Sequence, residues 1–104
     1  MKVAIPTFGA RVSPRFDYAE TFLVLAMEEQ EIVERCLHDA SLRSARDRVR
    51  WLIAMDIDCV VCGGIDNASA DALASAGVCL YSWLAGDIET ILASLMMGEL
   101  HQVN

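Results

Sequence analysis

Ile57-Asp58-Cys59-Val60-Val61-Cys62-Gly63-Gly64-Ile65-Asp66-Asn67 is the stretch on which the fold turns. Its first six residues are β-rich and mostly apolar, the pattern of a short strand buried on both faces. Gly63-Gly64 bounds that strand, and Asp66 or Asn67 is placed to cap a helix by accepting an orphan backbone N–H. The helix that follows is alanine-rich and stops at Gly77, a residue suited to the left-handed position after a helix. A strand, a glycine turn and a helix in immediate succession point to a parallel α/β sheet.

Working outward supports this. Val78-Cys79-Leu80-Tyr81 is another short strand, and Gly86-Asp87 opens a last helix with Ile88, Ile91, Leu92 and Leu95 on one face, closed by Gly98. On the other side, Ala45, Val49, Leu52, Ile53 and Met55 follow helical spacing, which predicts a helix over about residues 43–56 capped by Ser41 or Ser44. Earlier still, Thr21 to Met27 and Glu31 to Leu37 are two apolar runs separated by the polar turn Glu28-Glu29-Gln30, as in an antiparallel hairpin. Lys2-Val3-Ala4-Ile5-Pro6 reads as a first strand ended by its proline. Residues 7–20 hold Gly9, Ser13 and Pro14 without periodicity and read as a long loop, a feature often tied to function.

The resulting order is βββαβαβα in a single domain spanning 1–104. Two crossovers make the first, fourth and fifth strands parallel, with the hairpin at one edge. The expectation is therefore an α/β fold of ribonuclease-H-like topology, a mixed five-stranded sheet flanked by helices. Nuclease activity on that fold needs clustered carboxylates around metal ions, beginning on the first strand. Lys2 to Pro6 contains none.

Composition narrows the classes further. The 104 residues are 55% hydrophobic and 22% charged, enough apolar material for a covered sheet and too much for disorder. No apolar run approaches the ~20 residues of a membrane span, and the N-terminal residues lack signal-peptide regions, so a cytoplasmic protein is expected. A net charge of −7 argues against nucleic acid, whose phosphates need a basic face. Positive charge is concentrated in Arg11 and Arg15 of the early loop and in Arg43, Arg46, Arg48 and Arg50. Arg43, Arg46 and Arg50 share one face of the first helix, a stripe beside Trp51.

Cys59-x-x-Cys62 resembles a metal or redox motif, but in a strand two residues three apart face opposite ways, with Cα atoms about 10 Å apart. One ion or one disulfide cannot span that. Cys62 alone sits at a strand end beside a helix N-terminus, where a thiolate is favoured; a small buried hydrophobe is the other reading of it. Cys36, Cys59 and Cys79 read as core. No Ser-His-Asp set, Walker loop or paired-carboxylate motif is present, so a non-enzyme is expected.

Ligands of parallel sheets bind beyond the carboxyl ends of the strands. Three loops meet there: Thr7 to Asp17, Cys62 to Asn67, and Ser82 to Gly86. Glycine permits close backbone approach, the following helix end carries positive dipole, and Arg11 and Arg15 add charge. The expected site suits a small anion. A tight turn that needs glycine only for its backbone shape would account for Gly63-Gly64 as well.

Met1 to Pro6, Arg15-Phe16-Asp17-Tyr18-Ala19-Glu20-Thr21-Phe22, Cys62-Gly63-Gly64-Ile65 with Ala72-Leu73 and Ala76-Gly77-Val78, and Gly98-Glu99-Leu100 together resemble the dinitrogenase iron–molybdenum cofactor biosynthesis family. The resemblance covers residues 1 to about 100. It implies a ribonuclease-H-like fold and a role in binding, carrying or assembling metal–sulfur clusters. Where family members commonly show His-Phe-Gly, this chain has Arg15-Phe16-Asp17. That exchange removes an imidazole ligand and supplies a cation able to pair with a thiometallate anion.

The combined expectation is a non-catalytic binding or carrier protein for a molybdenum- or iron-containing sulfide cluster. Arg11, Arg15, Phe16, Cys62, Gly63, Gly64 and Asn67 would form its site: the arginines supply charge, Phe16 excludes solvent, residues 63–67 donate backbone N–H groups, and Cys62 is a possible metal ligand. The alternative is a protein-interaction or regulatory module docking on a cluster-assembly partner through the arginine stripe. The exposed third strand of the βββαβαβα order would be free to pair with a copy of itself.

Overall fold

Strand β1 (Lys2–Phe8) is the hub of the sheet, and its five central residues are buried on both faces. A computed structural model describes residues 1–100. After β1 come β2 (Arg11–Val12), β3 (Thr21–Glu28), β4 (Glu31–Asp39), α1 (Ala45–Ala54), β5 (Cys59–Val61), α2 (Asn67–Ser75), β6 (Cys79–Tyr81) and α3 (Ile88–Met96). The sheet order is β4-β3-β1-β5-β6, with β2 paired to the end of β1. β1, β5 and β6 are parallel, and the β3–β4 hairpin is antiparallel at one edge. The α/β class and the mixed flanked sheet match the sequence expectation.

Two details differ. The stretch read as featureless loop contains β2, which folds back on β1 through Thr7↔Val12 and Phe8↔Arg11, so the sheet has six strands rather than five. Pro6 does not end β1. It pairs with Phe22 of β3, and its carbonyl accepts the Ser13 N–H at 2.8 Å. The proline stands where β1 passes from its last β5 partner, Ala4, to its first β2 partner, Thr7, so the missing N–H removes no ladder bond.

Strand alternation sorts the core into two layers. Ala4, Phe22, Val60, Cys62 and Leu80 face α1 and α2, where Val49, Leu52 and Leu73 cover them. Val3, Ile5, Leu25, Cys59 and Val61 face α3, which supplies Ile88, Ile91 and Leu92. The helices start where their caps dictate. Ser44 accepts from the Asp47 N–H and Asp66 from the Ser69 N–H, while Asp87 precedes α3 without a side-chain cap bond.

Cys36 was expected in the core but is exposed on the edge strand β4, and Cys79 is half-buried; Cys59 alone of these three is buried. β4 has no neighbour on its outer side, so its alternate residues lack a covering layer. No helix among the described residues is long and apolar enough to cross a membrane.

Candidate functional site at the carboxyl ends of the parallel strands

The loops after β1, β5 and β6 are joined by backbone hydrogen bonds into one surface. Gly64 donates to Pro14 and Phe16 donates back to Gly64, each at 2.8 Å, which forms a parallel bridge between Arg15 and Gly64. Trp83 donates to Gly63 at 2.8 Å, Leu84 to Cys62 at 3.1 Å, and Val12 to Gly86 at 3.0 Å. This packing explains the two glycines. A Cβ at Gly63 would stand 2.5 Å from the Ser13 oxygen, and one at Gly64 would stand 2.9 Å from the Pro14 oxygen. Gly63-Gly64 is therefore first a requirement of loop-to-loop contact, and its peptide groups are largely consumed by it.

A pocket of ≈ 330 Å³ remains outside this junction, walled by Pro14, Arg15, Gly64, Ile65 and Trp83, with Asp17 and Asp66 at its margin. Arg15 is exposed and makes a two-point bond to Asp17, Nε to Oδ1 at 3.1 Å and Nη2 to Oδ2 at 2.8 Å. The Tyr18 ring stacks 4.1 Å from its guanidinium carbon. The hydrogen bond to Asp17 holds the Arg15 guanidinium above the ordinary arginine range. At Asp66, burial acts to raise the carboxyl, but bonds from the Ser69 backbone and hydroxyl outweigh it, and the group is lowered. It is thus an anion at neutral pH and already occupies the N-terminus of α2. With Arg15, Asp17 and Asp66 together, the pocket carries one positive and two negative groups. The sequence expects a site for a small anion with charge from Arg11 and Arg15; of these Arg15 alone lines the pocket, beside two carboxylates.

Among the expected site residues, the structure brings Arg15 and Gly64 together at the pocket. Arg11 lies on β2 with Nη1 4.0 Å from Asp87 Oδ1, away from the pocket lining. Phe16 is fully buried and meets Phe22 edge-on, ring centroids 5.5 Å apart, so it belongs to the core and screens no ligand. Gly63 is buried, and Asn67 is exposed at the start of α2 outside the pocket lining. Cys62 is fully buried with Leu73 and Val60 around it, and burial pushes its thiol up to about 12.

The donor set accordingly does not fit a cluster ligated by the protein. Among the described residues, no three His, Cys, Asp or Glu side chains are placed to hold a metal ion. Cys59 and Cys62 occupy opposite layers of the core, as strand geometry required.

Two residues of the site escaped the sequence reading. Trp83 follows β6, is 71% exposed, and has φ +63, a conformation a bulky side chain rarely adopts. Its ring lies over Gly64. An aromatic residue in a loop at the carboxyl end of a parallel strand was the available signal. Arg48, by contrast, is buried under the site. Its guanidinium donates to the carbonyls of Phe16 at 3.1 Å, Ala19, Ala40 at 3.0 Å and Arg43 at 3.0 Å. Its signal was position: Arg48 falls between Ala45 and Leu52 on the apolar side of α1, apart from the stripe of Arg43, Arg46 and Arg50.

Comparison with known proteins fits this architecture. The chain belongs to the dinitrogenase iron-molybdenum cofactor family, whose model matches residues 1–98. Its fold is shared with PH0822 (TM-score 0.90, 19% identity, 98% of this chain and 94% of the other). It is also similar to a Methanocaldococcus jannaschii protein provisionally named a dinitrogenase (TM-score 0.86, 16% identity, 100% and 95% covered). The apo form of the orange protein from Desulfovibrio gigas superposes at TM-score 0.82, with 18% identity over 98% and 92% of the two chains. None of the curated proteins matches the sequence closely enough to count as a relative.

Proposed function

We propose that the chain is a non-catalytic carrier of a metal–sulfur cluster, which it holds as an intact anionic cargo without protein–metal bonds. Membership in the cofactor family supports a role in cluster biosynthesis. The observation that carries the reading is the pairing of Arg15 with exposed Trp83 across the same ≈ 330 Å³ pocket. Arg15 bonds to Asp17 through Nε and Nη2 and lies against the Tyr18 ring, with its side chain exposed at the pocket. An anionic cargo would compete with Asp17 for the exposed guanidinium, while Trp83 and Pro14 shield one side from water. Cys62 has no part in this arrangement.

The test is anaerobic incubation of the purified protein with molybdate, iron and sulfide, followed by desalting, metal analysis and a visible spectrum. The wild-type chain and Cys62→Ser should retain metal to the same extent, and Arg15→Ala with Trp83→Ala should retain little. Absence of retained metal in the wild type, or equal retention in the double variant, would overturn the reading. Loss of retention in Cys62→Ser alone would replace it with direct ligation.

A further inference from the structure

A second surface adjoins the first pocket at Asp66, which lines both, and its reading does not depend on the cluster proposal. Between α1 and α2 runs an open groove of ≈ 530 Å³ whose floor includes Val49, Ile53, Ala68 and Ala72 and whose rim carries Arg46 and Arg50. The positions recur four residues apart on both helices, so one continuous stripe of each faces the groove. Residues 45–53 give it a length of roughly 12 Å at 1.5 Å per residue. Ile53 is 39% exposed there although it lies on a helix with a well-buried face.

The charge on the rim is out of character for the chain. The protein carries −7 overall, with 15 acids to 8 lysines and arginines. Yet neither Arg46 nor Arg50 has an ion-pair partner among the described residues. They stand four apart on one helix, a like-charge arrangement that weakens a helix. The remaining two arginines of this segment are used otherwise, Arg48 in the core and Arg43 over the Trp51 ring at 4.7 Å. The acid on the groove's lining, Asp66, is engaged by the Ser69 N–H at 2.9 Å.

We infer that this groove docks an acidic amphipathic helix of a partner protein, its apolar face on Val49, Ile53, Ala68 and Ala72 and its carboxylates on Arg46 and Arg50. Alanines on α2 allow close approach of a helix backbone, and the mode is that of a helix laid in a groove and anchored by residues three and four apart. A second copy of this chain offers no such helix. α1, α2 and α3 each contain one acid, and the apolar face of α3 is buried against the sheet. Nucleic acid is disfavoured by the overall negative charge and by a rim of only two cations.

The probe is a fluorescein-labelled 14-residue helical peptide with leucines at i, i+3 and i+7 and glutamates between them. It would be followed by anisotropy and by amide shifts of the labelled full chain. Saturable 1:1 binding is expected, with shifts centred on Ala45, Ile53, Ala68 and Ala72. Affinity should fall about tenfold in Arg46→Glu/Arg50→Glu and recover with a lysine version of the peptide, since rim charges set specificity. Ala72→Gln, an exposed helix substitution, should block the floor without unfolding α2. Four results would overturn the inference: no saturable binding, equal binding by the charge-reversed chain, shifts confined to other surfaces, or equal binding of an oligonucleotide. Self-association that Ala72→Gln abolishes would assign the groove to a second copy and overturn it as well. Because no metal enters these measurements, failure here leaves the cluster reading standing, and the reverse holds too.

Discussion

Nη1 of Arg48, on α1, donates to the carbonyl oxygen of Phe16, 32 residues earlier in the chain, inside a core that excludes water. Three further carbonyls, of Ala19, Ala40 and Arg43, complete its shell, and no carboxylate touches it. Burial lowers the arginine's pKa while the field of Asp17 opposes that shift. One side chain thereby ties the loop bearing Arg15 and Asp17 to the end of β4 and the start of α1.

Replacing that guanidinium removes the donor to the buried carbonyls of Phe16 and Ala19, while that of Ala40 keeps the Arg43 N–H; an unsatisfied buried group costs about 1–3 kcal/mol. Arg48→Met should therefore lower unfolding stability by at least about 2 kcal/mol, read as a shift in urea midpoint. Arg46→Met, two residues away and on the exposed face of α1, should leave the midpoint nearly unchanged.

Backbone contact at the loop junction predicts a graded response to added methyl groups. Gly63→Ala meets the Ser13 oxygen more closely than Gly64→Ala meets that of Pro14. Overpacking of this kind costs about 1–3 kcal/mol. Thermal denaturation should rank Gly63→Ala below Gly64→Ala and both below wild type.

The hairpin between β3 and β4 turns through Glu29 at φ +50 and Gln30 at φ +68, two left-handed residues without glycine. Two-residue turns of this kind favour Asn-Gly. The change Glu29→Asn/Gln30→Gly should raise stability by about 0.5–1 kcal/mol, measured by denaturant unfolding.

Thiol chemistry should follow burial. At pH 8, iodoacetamide should modify Cys36 rapidly and Cys79 more slowly, leaving Cys59 and Cys62 untouched until the chain unfolds. Burial pushes both inner thiols up to about 12 from 9.0. Raised folded pKa values mean their contribution is fully present below pH about 9. Above that, the unfolded chain loses protons that the folded one keeps, so stability falls as pH rises toward 12. Cys59→Ala/Cys62→Ala, although less stable, should show a shallower decline across that window.

Much of this was legible in local sequence. The run Cys59-Val60-Val61 followed by Gly63-Gly64 and Asp66 announced a buried strand, a turn and a capped helix, because strand burial, glycine geometry and capping act over a few residues. The separation of Cys59 from Cys62 was equally readable, since it follows from the two-residue period of a strand. The family resemblance lay in the same short segments.

What tertiary structure alone decided was which groups those segments would meet. Gly63-Gly64 reads locally as either a ligand cradle or a turn needing glycine for its shape; Ser13 and Pro14 from a distant loop claim the space beside both glycines. Arg15 was read as free charge, yet the fold leaves it beside Asp17 with Asp66 nearby. Of the two readings open for Cys62, reactive strand end or small buried hydrophobe, its full burial in the layer under α1 and α2 favours the second. Chain-local rules fix dihedral angles and faces, whereas electrostatic balance and burial are sums over neighbours brought from elsewhere in the chain.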